Sequence, residues 1–215
     1  MDQNEVWENI ASPWKIFRVN PDKEVVDFFK DKSGKILDLA CGSGRNFIKI
    51  DGTIYGVDFS KKMLKYAKEH IKKNNFDVEL KNENATKLSF KDNFFDSAIF
   101  IRALHCIETE EGREKTLREL LRVLKPKSEA LITVWNKDQP RFADLEKDSF
   151  IPWEHNGKKF MRYYHLYEKD EFFNLLKKVG FENIKIEDKE NIEGTYSKKN
   201  IVAVVRKDWL SEENF

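Results

Sequence analysis

Lys35-Ile36-Leu37-Asp38-Leu39-Ala40 is an apolar run of strand length that feeds directly into the turn Cys41-Gly42-Ser43-Gly44. A short apolar run closed by glycines reads as a buried strand. A strand delivered into a glycine turn and a helix start opens a βαβ unit, and its crossover makes the strands parallel. The alternation repeats. A strand over 53–58 precedes a helix opened by Ser60, with Leu64, Ala67 and Ile71 turned inward, and a strand over 76–81 follows. The strongly apolar strand 95–101 comes next, then a helix capped by Thr109 that carries Leu117, Leu120, Leu121 and Leu124 and ends at Lys125-Pro126, then a strand over 129–135.

The flanks read differently. Val6, Trp7, Ile10 and Trp14 share one face of a short helix, and Asn20-Pro21 caps a second helix that runs to about Lys32, so residues 1–34 form an N-terminal helical cap. Residues 136–167 have no clear period and carry aromatic, proline and basic residues, as a substrate-facing insertion would. A helix over 168–179 stops at Gly180, and strands over 183–187 and 200–206 are close enough in sequence to pair as an antiparallel hairpin at the sheet edge. The expected fold is α/β: a mostly parallel seven-stranded sheet with that antiparallel hairpin and helices on both faces, in one domain over residues 1–215.

Composition narrows the function. There are 39 basic and 38 acidic residues, so any basic patch must be local, and Lys61-Lys62, Lys72-Lys73 and Lys198-Lys199 read as solvated faces. Cys41 and Cys106 alone make neither a disulfide framework nor a complete zinc site, so no metal is expected. No apolar run is long enough to cross a membrane and no secretion signal opens the chain, which makes the cytoplasm the default.

In a doubly wound sheet, ligands bind outside the carboxyl ends of the strands, which puts Asp38 to Gly44 at the site. Glycines there let the backbone approach a ligand closely. Phe47 stands where a dinucleotide site has its third glycine, which argues against a pyrophosphate. Asp58, at the end of the second strand, is placed to accept bonds from ribose hydroxyls. The combination favours an adenosine ligand without a pyrophosphate.

Asp38-Leu39-Ala40-Cys41-Gly42-Ser43-Gly44, Asp58, Asn84-Ala85 and the strand that opens with Phe95-Asp96 resemble, in order and spacing, the successive motifs of the class I methyltransferases, which use S-adenosylmethionine (SAM). Ala40 stands in place of a first glycine and Asn84 in place of an aspartate. The resemblance implies a Rossmann-like fold and SAM as cofactor. It implies that Asp38, Ala40, Gly42 and Gly44 hold the methionine part, Asp58 the ribose and Asn84-Ala85 the adenine, with Ile101 beside the sulfonium.

A narrower resemblance is to the methyltransferases of the tRNA wobble uridine. It rests on Val6-Trp7-Glu8-Asn9-Ile10-Ala11 with Phe17-Arg18, on His105 and Trp135, and on Ile151-Pro152-Trp153 and Arg162-Tyr163-Tyr164-His165-Leu166-Tyr167. Asp22 stands where tryptophan is common, and Cys106 replaces a second histidine. The resemblance implies methylation of the carboxylate of 5-carboxymethyluridine in a tRNA anticodon loop, with Arg18, His105 and Arg162 as catalytic residues. Arg18 or Arg162 would grip the carboxylate, because a guanidinium fork matches it. Trp135, Tyr163, Tyr164 and His165 would contact the base. The family also implies a small zinc-binding activator protein docked on the third strand near Phe76 to Lys81. Two rival readings share the same core: a methyltransferase of a quinone precursor or other small molecule, using His105 as base, and a SAM-binding regulator without catalysis.

Overall fold

The computed structural model describes residues 2–17, 20–188 and 200–208. Arg18 and Lys198-Lys199 lie outside these described residues. The strands are β1 (Ser33–Leu39), β2 (Asp51–Asp58), β3 (Val78–Asn82), β4 (Phe95–Ile101), β5 (Leu124–Trp135), β6 (Asp148–His155), β7 (Lys158–His165), β8 (Glu182–Asp188) and β9 (Asn200–Arg206). The helices are α1 (Gln3–Phe17), α2 (Lys23–Phe29), α3 (Lys61–Asn74), α4 (Glu110–Val123) and α5 (Lys169–Val179). Seven strands form one sheet in the order β3-β2-β1-β4-β5-β9-β8, while β6 and β7 form a separate antiparallel pair.

The parallel strands are covered on both faces, which is why they read as continuous apolar runs. Leu37, Leu39, Ala98 and Phe100 pack towards Leu117 and Leu120 of α4 and Phe172 and Leu176 of α5. Their neighbours Ile36, Ile54, Ile99 and Leu131 pack the other way, with Val25 and Phe29 of α2 and Leu64 and Ala67 of α3. Local chemistry sets the helix ends: Ser60 accepts from the Met63 N–H, Thr109 accepts from the Gly112 N–H, and Gly180 closes α5 in the left-handed conformation.

Three expectations need correction. No helix follows the glycine turn: residues 40–50 cross from β1 to β2 as turns. That span is short for a crossover helix, and it is pinned instead by the Phe47 ring, which lies against Gly44 so closely that a Cβ there would collide with it. Strand β5 begins at Leu124 rather than 129, with Pro126 absorbed where the β4–β5 register shifts between Phe95 and Ser97.

The span 136–167 is more regular than its composition implies. Asn156 and Gly157, both at positive φ, make a two-residue turn that joins β6 to β7. The expected antiparallel hairpin is present at the sheet edge: β9 pairs antiparallel with both β5 and β8, and β8 is the outermost strand.

Candidate active site

A cavity of about 400 Å³ opens at the carboxyl ends of β1, β2, β4 and β5, within the size range of small-molecule sites. Helix α1 covers it. Gln3 is buried and pins the start of that helix to β7: its Oε1 accepts from the Tyr163 N–H at 2.9 Å and its Nε2 donates to the Met161 carbonyl at 3.2 Å.

One half of the cavity is built from backbone and carboxylates. Ala40 and Gly42 both adopt left-handed φ, 57° each, so alanine holds here the conformation that glycine favours. A Cβ on Gly42 would meet nothing within 4 Å, which leaves open space above the turn. Asp58 accepts from the Gly42 N–H through Oδ2 and from the Ser60 N–H through Oδ1, both at 2.9 Å. Burial pushes its carboxyl up to about 6 despite those two bonds.

Asp38 lies behind the turn, fully buried, and its Oδ2 has no hydrogen-bond partner among the described residues. Burial and the nearby Asp58 push its carboxyl well above the usual carboxylate range. The loop after β3 is shaped by Asn84, whose Oδ1 accepts from the Thr86 N–H at 3.0 Å and from its hydroxyl at 2.9 Å. Asn84, Ala85 and Ile101 line this half.

The other half is aromatic. Trp7, Trp14, Trp135, Tyr164 and His105 line it. Trp135 stacks on Tyr164 at 4.3 Å and on His105 at 5.0 Å. His105 sits in a single 3₁₀ turn, Leu104–Cys106, where its Nδ1 accepts from the Trp135 N–H at 3.3 Å. Burial, with the neighbouring His165, Arg141 and Arg162, pushes the imidazole down to about 3. At neutral pH the ring is therefore uncharged, and with Nδ1 accepting, its proton is on Nε2.

Arg162 lies just behind this wall. Its guanidinium donates to the Tyr164 hydroxyl at 2.6 Å and sits over the rings of Trp153, Tyr164 and Trp14 at 5.0, 5.1 and 5.7 Å. Its buried Nε has no hydrogen-bond partner among the described residues.

The cavity thus brings together Ala40, Gly42, Asp58, Asn84, Ala85, Ile101, His105, Trp135 and Tyr164, with Asp38, Gly44 and Arg162 one layer behind. Tyr163 and His165 are placed elsewhere, because alternate residues of a strand point to opposite faces. Both turn away from Arg162 and Tyr164 and share Asp148: His165 Nδ1 lies 2.8 Å from its Oδ1, and the Tyr163 hydroxyl also bonds it. His165 Nε2 meets Glu171 at 2.8 Å, and Tyr163 accepts from Arg113 at 3.1 Å. This network ties β7 to α4 and α5.

Among the cavity residues that escaped the sequence reading are two cations: Arg45, directly after the glycine turn, and Arg102, directly after β4. Their positions at strand carboxyl ends were the available signal.

A family model described as a methyltransferase domain matches residues 30–194. The chain belongs to this methyltransferase family. A solved SAM-dependent methyltransferase from Methanosarcina mazei superposes with a TM-score of 0.70 over 87% of this chain and 99% of that one, at 20% identity, which shows the class I fold. A tRNA (carboxymethyluridine(34)-5-O)-methyltransferase of Arabidopsis thaliana is 34% identical over 114 residues, covering 52% of this chain and 26% of the plant protein. A mouse probable tRNA methyltransferase 9B is 28% identical over 152 residues, covering 69% of this chain and 32% of its own length. The matched methyltransferase thus spans a quarter to a third of these two relatives.

Proposed function

We propose that the chain transfers the methyl group of SAM to the carboxylate of a 5-carboxymethyl group on a tRNA wobble uridine. The observation that carries this reading is the pairing, in one cavity, of an adenosine-type half with an aromatic half backed by the buried guanidinium of Arg162. The residues fit the donor. Asp58 keeps accepting capacity for hydroxyls beyond its two backbone bonds, the orphaned Oδ2 of Asp38 calls for a donor such as an ammonium, and the space above Gly42 admits a ligand against bare backbone. When bound, SAM supplies an electrophilic methyl carried on a sulfonium.

The chain's own work is positioning. A carboxylate acceptor is ionised at neutral pH, so nothing has to remove a proton from it. Arg162 is a buried cation whose Nε has no hydrogen-bond partner among the described residues, and an acceptor carboxylate would satisfy it. Its place over three aromatic rings helps hold the guanidinium in position. The neutral His105 offers Nε2–H as a hydrogen-bond donor to the base or its side chain. Trp135 and Tyr164, contributed by β5 and by the substrate-facing hairpin within 136–167, give a planar surface for a splayed base. Arg18, Tyr163 and His165 complete the proposed set by resemblance to the family; the latter two act through the placement of β7.

The small-molecule alternative requires a general base, and an imidazole pushed down to about 3 is a poor one at neutral pH. The activator surface is proposed by resemblance alone, on β3, which lies at the sheet edge with Val78 and Leu80 half-buried against the core. A cytoplasmic location is proposed from the resemblance to tRNA-modifying relatives; no described helix is long and apolar enough to cross a membrane.

The test is to incubate the chain with labelled SAM and tRNA from cells that lack the modification, with and without a zinc-binding activator, then analyse the nucleosides by mass spectrometry. A methyl ester on the wobble-uridine side chain is the expected product. Label confined to small molecules, with SAM binding intact, would favour the rival.

A further inference from the structure

Helix α3 concentrates positive charge in a chain whose basic and acidic residues number 39 and 38. It carries Lys61, Lys62, Lys65, Lys68, Lys72 and Lys73 against a single acid, Glu69, and all six lysines are exposed. Lys61, Lys65, Lys68 and Lys72 recur at steps of four, three and four residues, which sets them in one line along the helix, with Lys62 and Lys73 beside it. Leu64 and Ala67 pack inward against the sheet. The result is a line of cations about 16 Å long on the outer side of the helix.

Stability does not account for this line. Like charges four residues apart oppose helix formation. The helix dipole favours Lys72 and Lys73 in the last turn but opposes Lys61 and Lys62 in the first, where no acid stands. None of the six makes an ion pair with a described residue, and Glu69 is taken at 3.5 Å by Lys15 of α1, which also sits over the Tyr66 ring at 3.9 Å. Helix α1 thus adds a cation beside the line and occupies its one acid. Helix α4 is built the other way: Arg118 pairs with Glu114 and Arg122 with Glu119, both at 2.7 Å, and Lys178 of α5 reaches Glu114 at 2.6 Å. Charges on α4 neutralise one another; those on α3 are left to an outside partner.

The line also has a defined place beside the cavity. Helix α3 opens at Ser60, directly after Asp58 and Phe59, which line the cavity, so the line starts at its rim and runs away from it. Helix α1 connects it to the acceptor half: Glu8 accepts from the Lys62 N–H at 3.4 Å, while Gln3 of the same helix holds β7.

We propose that the lysine line of α3 binds the phosphate backbone of the RNA whose wobble base enters the cavity. This inference rests on the tRNA acceptor proposed above. Evenly spaced cations without carboxylate partners match a polyanion, and phosphate contacts fix the register of a nucleic acid without reading its sequence. The line holds a stem at the rim, and the cavity tests the base.

The experiment measures binding of two synthetic anticodon stem-loops, with uridine or 5-carboxymethyluridine at the wobble position, to the full chain saturated with S-adenosylhomocysteine. Fluorescence anisotropy is read from about 50 to 200 mM salt. With Lys61→Gln, Lys65→Gln, Lys68→Gln and Lys72→Gln combined, affinity at the lowest salt should fall about tenfold or more for both stem-loops alike. The slope of log affinity against log salt should shrink by about 3, as four lost phosphate contacts require. Arginine at the same four positions should keep affinity and slope. The KM for the modified stem-loop should rise in the glutamine variant, with kcat and S-adenosylhomocysteine affinity unchanged. If melting curves show the fourfold variant unfolded, Lys65→Gln with Lys72→Gln replaces it and should lose about half as much slope. Vesicles of phosphatidylserine and phosphatidylcholine serve as a second anionic surface.

A slope that the folded glutamine variants leave unchanged overturns the inference and leaves the tRNA reading standing. So does a loss confined to the modified stem-loop, which would place these lysines in base selection. Variants that bind stem-loops normally but lose binding to the vesicles would make the line a membrane contact and overturn it as well. An unaltered chain that binds neither stem-loop at low salt would instead remove the tRNA reading itself, and the inference with it.

Discussion

The two halves of the cavity are built by different means. The half around Gly42 and Asp58 is made of backbone conformation and short side chains at the ends of β1 and β2, and each of its groups is fixed by the strand it terminates. The half around Trp135 and Tyr164 is assembled from α1, the turn after β4, the end of β5 and the β6–β7 hairpin, elements brought together only by the tertiary fold. On the proposed reading the first half holds the cofactor and the second selects the acceptor, so damage to one should leave the other's readout intact.

The sharpest separation comes from Asp58→Ala. It removes the hydroxyl acceptor and strands the Gly42 and Ser60 N–H groups, so affinity for S-adenosylhomocysteine should fall about a hundredfold, at about 1.5–3 kcal/mol per charge-assisted bond. Stem-loop binding should hardly move; a loss below about tenfold in calorimetry would break the assignment of this half. Arg162→Lys should do the reverse. Lysine keeps the charge but not the fork, so turnover on the tRNA should fall by about tenfold or more with cofactor affinity preserved. Unchanged turnover would remove Arg162 from the acceptor half.

The two halves also differ in their response to pH. Asp58 must be ionised to accept from hydroxyls, so cofactor affinity, measured by calorimetry from about pH 5 to 8, should fall as pH drops through about 6. Its effect on stability has the opposite sign. Because the folded value lies above that of a free aspartate, the group's stabilising contribution is complete below about pH 4 and is lost as pH rises through about 6. His105, pushed down to about 3, contributes stability that is complete above about pH 6.5 and lost as pH falls towards 3. With cofactor saturating, the transfer rate should therefore be flat between about pH 6.5 and 9, and a limb near the ordinary histidine value would show that His105 titrates in the reaction.

The smallest effect belongs to the far face of β7. Tyr163→Phe deletes a hydroxyl shared by Asp148 and Arg113, and about 1–3 kcal/mol of stability should go with it, read from chemical denaturation. The KM for tRNA should stay put. A large KM change would mean that the network shapes the acceptor half more strongly than its distance from the cavity implies.

This difference in construction also decided what could be read from the sequence. Asp38 through Gly44, Asp58 and the β4 strand are local: a strand, a turn and an acid at a strand end announce themselves by spacing. The acceptor half carries no such period. Arg162-Tyr163-Tyr164-His165 is a contiguous string of chemically plausible residues, and only strand alternation divides it into a cavity face and a buried network. The Asn156-Gly157 pair did signal that hairpin, but the irregular composition around it obscured the signal. Arg45 and Arg102 were hidden for another reason: each is one more cation in a chain where 36% of residues are charged, and only their convergence on Asp22 sets them apart.

The most direct test of the proposed chemistry is the lability of the transferred methyl group. The chain is incubated with methyl-labelled SAM and an anticodon stem-loop containing 5-carboxymethyluridine, and the labelled RNA is then treated with mild base. An ester formed at the carboxylate predicts that the label is released as volatile methanol. Label that stays on the RNA through this treatment would place the methyl group on the ring or the ribose and contradict a carboxylate acceptor.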